Sequence, residues 1–303
     1  MRDPPQACLL PDGRRLHLQH GPIDLIVEAC GSQVAVAAAY EAASRRFATV
    51  LDELCGELPL LRLPALPGVR RCEGPVARRM EAAVLPHAAR GFITPMAAVA
   101  GAVAQEILDA MVGSADLGRA YVNNGGDIAL HLAPGTSFKI GLIDRPDRPG
   151  LFGSAAIRFD SPVRGVATSG WRGRSHSLGI ADTVTILART ASEADAAATV
   201  VANAVDLPGH PAIRRTPADA LQPDSDLGPR LVTVAVGALG QAEVRAALDA
   251  GAACADDLVT AGLIEAAALR LQGVTRTVGR PDDNPAALSS RLSLRPSEAL
   301  AHA

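Results

Sequence analysis

Helical and strand-like patterns come in groups along this 303-residue chain rather than in strict alternation, and that grouping does most to narrow its fold. Ala-rich stretches with helical character, Val34 to Leu54 and Gln241 to Leu271, flank a region of short apolar runs separated by turn residues. Those runs, Ala120–Val122, Ile128–Leu132, Phe138–Ile143 and Ala155–Phe159, read as an antiparallel meander. Arg15 to Glu28 reads as two strands around a turn at His20-Gly21-Pro22. Further strands are expected at Gly165–Ser169, Thr183–Ala188 and Leu231–Val236, a helix over Glu193 to Val205, and one or two helices over Gln241 to Leu271. Without regular strand–helix alternation a doubly wound parallel sheet is disfavoured. An α+β fold is expected, with a mixed, mostly antiparallel sheet packed on long Ala-rich helices.

Proline and small residues sharpen this picture. The passage Leu58 to Pro67 is expected to be a loop, because proline fixes φ and removes a donor, and Pro75 to Leu85 a short helix after it. Thr94-Pro95 suits a helix start, with the threonine as cap, running to about Met111. Within it Met96, Val99, Val103 and Ile107 recur at helical spacing, while Ala97, Ala98, Gly101 and Ala104 keep the other faces small enough for a second backbone or a ligand to come close. Two strand-then-helix arms, near 183 and near 231, hint at an internal duplication.

Aromatic residues make up only 3% of the chain, so the core must be filled by Ala, Val, Leu and Ile, and base-stacking platforms are disfavoured. The formal net charge of -3 gives no global attraction to nucleic acid or anionic membrane. Five cysteines, Cys8, Cys30, Cys55, Cys72 and Cys254, show no CxxC spacing, which fits reduced thiols. The opening Met1-Arg2-Asp3-Pro4-Pro5 lacks the apolar segment of a signal peptide, and no run approaches the roughly 18 apolar residues of a membrane helix. The expectation is a cytoplasmic protein with one domain over residues 1–280 and a flexible tail over 281–303. Self-association is compatible with the Ala-rich helices.

Four local patterns carry chemistry, each with a bland counterpart. Asn123-Asn124-Gly125-Gly126-Asp127-Ile128 sits between two apolar strands. Its glycines allow φ > 0 and a close approach of backbone amides to an anion or planar ring, and Asp127 can accept from a ligand; the same residues also make an ordinary hairpin turn. Asp195 and Thr199, four apart, share a helical face on which a carboxylate and a hydroxyl could hold a hard cation, although Ser192 and Asp195 also form a capping box. Thr168-Ser169-Gly170, followed by Arg172, Arg174, His176 and Asp182, suits anion recognition with a histidine proton carrier, or a solvated basic loop. Pro223-Asp224-Ser225-Asp226-Leu227-Gly228 lacks the length of an EF-hand loop and reads better as a capped turn than as a cation site.

Taken in order, these pieces resemble the ApbE-like superfamily, whose best-known members are FAD:protein FMN transferases. The resemblance rests on the helix Pro95-Met96-Ala97-Ala98-Val99-Ala100-Gly101, the turn Asn123 to Ile128, Ser169-Gly170, His176, and Ala194-Asp195-Ala196-Ala197-Ala198-Thr199, and it covers about residues 90 to 205. It implies a T-fold-like α+β domain, and a ligand lined by Thr94, Met96, Asn123, Asn124, Gly125, Gly126, Asp127, Ser169 and Gly170. It also implies Mg2+ on Asp195 and Thr199, FAD as cofactor or substrate, and His176 or Asp182 as proton carrier. The transferases carry His-Ile-x-Asp-Pro-x-Thr-Gly, whereas His176 here runs through Ser177-Leu178-Gly179-Ile180-Ala181-Asp182, so the chain looks like the cytosolic branch of the superfamily.

Three functions follow as expectations. The first is a magnesium-assisted enzyme, a transferase or hydrolase, acting on FAD or a related heterocyclic, diphosphate-containing substrate. The alternative is a non-catalytic protein that binds a flavin-like or pterin-like ligand, and the third is a scaffold that has lost the pocket. Under the first two the partner is a small heterocyclic molecule, with no nucleic acid and no membrane.

Overall fold

The structure is a computed structural model that describes residues 4–143, 150–279 and 292–294. The chain opens with β1 (Gln6–Leu9), β2 (Leu16–His20) and β3 (Ile23–Cys30), followed by helices α1 (Gln33–Leu61) and α2 (Pro75–Val84). A 3₁₀ turn, Pro95–Ala98, leads into α3 (Val99–Ser114), and then come β4 (Arg119–Asn124), β5 (Asp127–Leu132), β6 (Ser137–Ile143), β7 (Leu151–Arg158), β8 (Gly165–Ser169) and β9 (Thr183–Ala188). The remainder is α4 (Ala191–Ala204), β10 (Ile213–Pro217), the single turn α5 (Ala218–Leu221), β11 (Leu231–Val236), α6 (Gln241–Thr260), β12 (Ala266–Leu271), β13 (Val274–Gly279) and β14 (Leu292–Leu294).

Nine strands form one sheet in the order β1-β2-β3-β4-β5-β8-β9-β12-β13, and each of its described pairings is antiparallel. The fold is therefore α+β, with a large antiparallel sheet and long helices, as expected. It is built twice. In the first half, hairpin β2-β3 and hairpin β4-β5 flank α1, α2 and α3, and β3 pairs with β4. In the second, hairpins β8-β9 and β12-β13 flank α4 and α6, and β9 pairs with β12. A short join, Ile128 opposite Val166 and Ala129 opposite Gly165, connects the halves. The duplication is thus not the pair of arms suggested by the sequence. Strand β11 leaves the main sheet to pair with β10, and the true partner of the first-half pattern lies in β12 and β13.

The sequence reading also needs four corrections in the element pattern. The meander splits, because β4 and β5 belong to the large sheet while β6 and β7 form a second sheet with β14. Helix α1 runs through Pro59 to Leu61, since Leu61 is fully buried and its packing outweighs the one hydrogen bond that the proline removes. Helix α6 stops at Thr260, where Gly262 takes a left-handed φ of 70° and the Leu263 amide reaches back to the Leu258 carbonyl. The following Ala266–Leu271 is a strand held between β9 and β13, where pairing on both sides overrides the weak strand preference of three alanines. Thr94 caps no helix: Pro95 opens a 3₁₀ turn and the threonine hydroxyl is used elsewhere.

The helices cover one face of the sheet in two adjoining clusters, one around Phe47, Met80, Ile107 and Met111 and one around Ile186, Val201, Leu248 and Leu269. Strands β6 and β7 cover part of the other face, packing Leu142, Phe152 and Ile157 on Leu130, Leu132, Val166 and Leu187. Where α3 meets α4 the backbones touch. A Cβ on Gly101 would stand 2.2 Å from the carbonyl oxygen of Ala191, so only glycine allows this approach. Pro95–Ser114 is, by length and composition, apolar enough to cross a membrane, which the sequence reading did not foresee; here it packs against α1 and α4 with 44% of its most apolar window buried. The five cysteines are free thiols. Of the tail expected over 281–303, Leu292–Leu294 pair with β7 and the rest lies outside the described residues.

Candidate functional site

Asp127 and Asp195, 68 positions apart in the chain, come within electrostatic reach of each other where the first half of the fold meets the second. Asp127 opens β5, directly after the two-residue turn Gly125-Gly126 that closes hairpin β4-β5. Both glycines have positive φ, 65° and 115°, as such a turn demands, and nothing lies within 4 Å of where their side chains would be. The turn is therefore the hairpin of the bland reading, and its backbone also faces open space. Asn123 holds it by accepting the Gly126 amide at 2.9 Å, and Asn124 donates its side-chain amide to the Ala100 carbonyl at 3.1 Å, tying the turn to the start of α3.

Asp195 lies in the second turn of α4. The capping box expected there from Ser192 and Asp195 is made instead by Thr190 and Glu193, which leaves the Asp195 carboxylate for other work. It accepts the Gly101 amide at 2.9 Å. Helix α3 has no capping side chain of its own, so a carboxylate from a neighbouring helix satisfies its N-terminal amides and interacts favourably with its dipole. Asp127 accepts the Thr168 amide at 3.1 Å from β8.

Neither carboxylate forms an ion pair with a basic side chain among the described residues. Burial pushes the Asp127 carboxyl up to about 7, against the opposing effect of the Thr168 amide. Asp195 is raised well above the ordinary range, first by burial and then by the charge of Asp127, with the Gly101 and Ala100 amides pulling the other way. Two such groups hold a proton between them near neutral pH, or attract a cation or a ligand that donates hydrogen bonds. Thr199 follows Asp195 by one turn on the same helix, half-buried. No group of three or more His, Cys, Asp or Glu side chains that could hold a metal occurs among the described residues.

The other residues singled out in the sequence have varied surroundings. Thr94 is buried, and its hydroxyl donates to Asp226 from the Pro223–Gly228 segment. That segment is a turn, as the bland reading had it. It docks on the body through this bond and an Asp224–Arg62 ion pair at 2.6 Å, and Arg230, two residues beyond it, stacks over Phe92. Sequence reasoning missed the Asp226 contact because its two partners are 132 positions apart. Met96 is half-buried and packs on the first core cluster. Ser169 ends β8, and a Cβ on Gly170 would stand 2.4 Å from the carbonyl oxygen of Asp182, so this glycine serves a backbone contact. The Asp182 carboxylate accepts from Arg172 at 3.0 Å and from the Gln272 amide at 2.6 Å, fixing the loop after β8 to hairpin β12-β13. His176 is half-buried in that loop.

Among solved structures the chain is similar to the apo form of the Pseudomonas stutzeri flavinyl transferase ApbE, at 11% identity and a TM-score of 0.41, covering 96% of this chain and 97% of that one. It is similar to the flavin transferase ApbE from Vibrio cholerae at 12% identity and a TM-score of 0.38, covering 92% and 98%. Among curated proteins it is 36% identical over 155 residues to a UPF0280 protein of Methanopyrus kandleri, covering 50% of this chain and 59% of that protein. A UPF0280 protein of Methanothrix thermoacetophila is 36% identical over 169 residues, with 52% and 64% covered. The chain thus spans about half to two thirds of the length of these curated relatives. A family model described as AbpE bacteria matches residues 7–277, and the chain belongs to that family.

Proposed function

We propose that this protein binds a planar, hydrogen-bond-donating heterocycle of the flavin or pterin kind at the Asp127–Asp195 junction, without chemistry of its own. The observation that carries the reading is the carboxylate pair. Two half-buried acids drawn together from different halves of the fold, without a basic partner among the described residues, raise the free energy of the empty protein, and such arrangements cluster at functional sites. Ring N–H donors, or a cation, would relieve that cost. The open Gly125-Gly126 backbone beside the pair supports the approach of a flat ring. Family membership, together with the printed names of the similar structures, supports flavin as the first ligand to test. The ligand's other expected contacts, Thr94, Met96, Asn123, Asn124, Ser169 and Gly170, belong to the same proposal, as does a cytoplasmic setting.

The magnesium-assisted enzyme is the second reading, favoured by the donor set itself. The carboxylates of Asp195 and Asp127 and the hydroxyl of Thr199 are all hard oxygen donors, and magnesium needs few protein ligands because it keeps water and takes phosphate oxygens. When bound, Mg2+ would neutralise the acids and a ligand's diphosphate. The commitment of Asp182 to Arg172 and Gln272 leaves His176 as the side chain for proton movement in this reading.

Thermal shift against FMN, FAD and a reduced pterin, each with and without magnesium, tests both readings, since a ligand bound only by the folded state raises the Tm. Binding without metal that is lost in Asp127→Asn supports the first. Binding that requires magnesium and is lost in Asp195→Ala moves the weight to the second. A chain that none of these compounds stabilises is neither.

A further inference from the structure

Strand β4 has two working ends and two faces. Ala120 and Val122 point into the helix-side core, whereas Tyr121 faces the opposite side with β6, so Arg119 and Tyr121 look away from Asp195. Arg119 also lies at the far end of the strand from Asn124, about 16 Å away at the rise of a β-strand. There, at the step between the large sheet and β6, a cleft of about 290 Å3 is lined by Tyr121, Phe138, Arg119, Lys139 and the Arg14–Glu28 pair. It shares Arg119 and Cys30 with an adjoining cleft of about 440 Å3 that reaches Gly118, Thr136 and Ser137.

Charge is arranged unevenly in this place. Glu28, the carboxylate of the smaller cleft, is neutralised by Arg14 at 2.6 Å. Among the described residues no carboxylate pairs with Arg119 or Lys139. Arg119 is also held before any ligand arrives: its guanidinium stacks 5.3 Å from the centre of the Phe138 ring, and Nη1 donates to the Ser137 carbonyl at 3.2 Å. A stacked, half-buried guanidinium with donors to spare loses little freedom when it takes an anion, and its planar fork suits phosphate oxygens. Phe138 packs edge-to-face on Tyr121, 5.9 Å between centres, which makes a firm aromatic wall beside Arg119. Lys139, the next residue on β6, starts from the opposite, exposed face of that edge strand and lines the cleft at its rim. On a chain of net charge -3 this is a local attraction for anions, not a consequence of the overall field.

We infer that this cleft is a second site, independent of the Asp127–Asp195 junction, that binds a small phosphate monoester carrying a planar ring. Arg119 and Lys139, neither paired with a carboxylate among the described residues, match a group that carries close to two negative charges at neutral pH. The aromatic wall accounts for the ring, and the cleft, at the lower limit of small-molecule pocket sizes, continues into the adjoining one.

Calorimetric titration of the full chain with AMP, adenosine and inorganic phosphate tests the inference. Saturable AMP binding is expected, with adenosine and phosphate each much weaker. Lys139→Gln, on the exposed rim where folding does not depend on it, should weaken AMP roughly tenfold, and Arg119→Gln by at least as much. Asp127→Asn should leave AMP binding unchanged, so the outcome does not depend on the fate of the flavin or pterin reading. Absence of AMP binding at millimolar concentration overturns the proposal. So does an affinity equal to that of adenosine, an affinity indifferent to Lys139→Gln, or one lost in Asp127→Asn.

Discussion

Replacing Asp127 by asparagine should make the protein more stable at neutral pH, and less distinguishable from the parent in acid. The neutral amide keeps an oxygen to accept the Thr168 amide but cannot ionise. In the parent the folded-state pKa is raised from 3.8 to about 7, so the folded protein holds this proton more tightly than the unfolded chain does. Its contribution to stability is fully present below 3.8 and is lost as pH rises through about 7. At about 1.4 kcal/mol per pH unit the ceiling on that loss is about 4 kcal/mol, and the solvent contact of a half-buried pair reduces it to about 2. Removing the Asp127 charge also lowers the cost of ionising Asp195, which acts in the same direction. Urea unfolding of parent and variant at several pH values between 4 and 8 measures the difference directly, and titrations common to both proteins cancel. The variant's advantage should grow with pH to about 2 kcal/mol, or roughly 3 °C in Tm for a chain of 303 residues. A difference that stays flat with pH, or that turns against the variant at neutral pH, would refute the claim that these acids are brought together at a cost.

Three further outcomes follow from the packing. Gly101→Ala should be severely destabilised, by more than about 3 kcal/mol, because its Cβ meets the Ala191 carbonyl oxygen in a rigid backbone-to-backbone contact; far-ultraviolet circular dichroism during thermal melting reads this. Thr190→Ala should cost about 1 kcal/mol by chemical denaturation while Ser192→Ala has a smaller effect, since the first residue and not the second caps α4. His87, buried after α2, is held near pKa 4 by burial and then by Arg90, so it costs stability as pH falls from about 6.5 through 4; His87→Gln should flatten that acid limb in a pH series of melting temperatures.

Local patterns in the sequence were enough for most elements, because the forces that set them act over a few residues. Gly165–Ser169, Thr183–Ala188 and Leu231–Val236 are strands in the structure with the same bounds. Asn123 to Ile128 already specified a tight glycine turn next to an acid, since glycine takes positive φ without strain and the 115° of Gly126 admits little else. The α+β class followed from the grouping of these elements.

Tertiary structure alone decided which strands share a sheet, and with it the site. Nothing local distinguishes β5, which joins the main sheet, from β6, which leaves it, and three alanines become a central strand only because β9 and β13 lie on either side. The meeting of Asp127 with Asp195 depends on Gly101 letting α3 touch α4, and on Thr190 and Glu193 making the cap that the sequence pattern assigns to Ser192 and Asp195. The shifted acidities of the two carboxylates come from burial and mutual charge, quantities that a sequence does not carry because they exist only once distant residues are placed side by side.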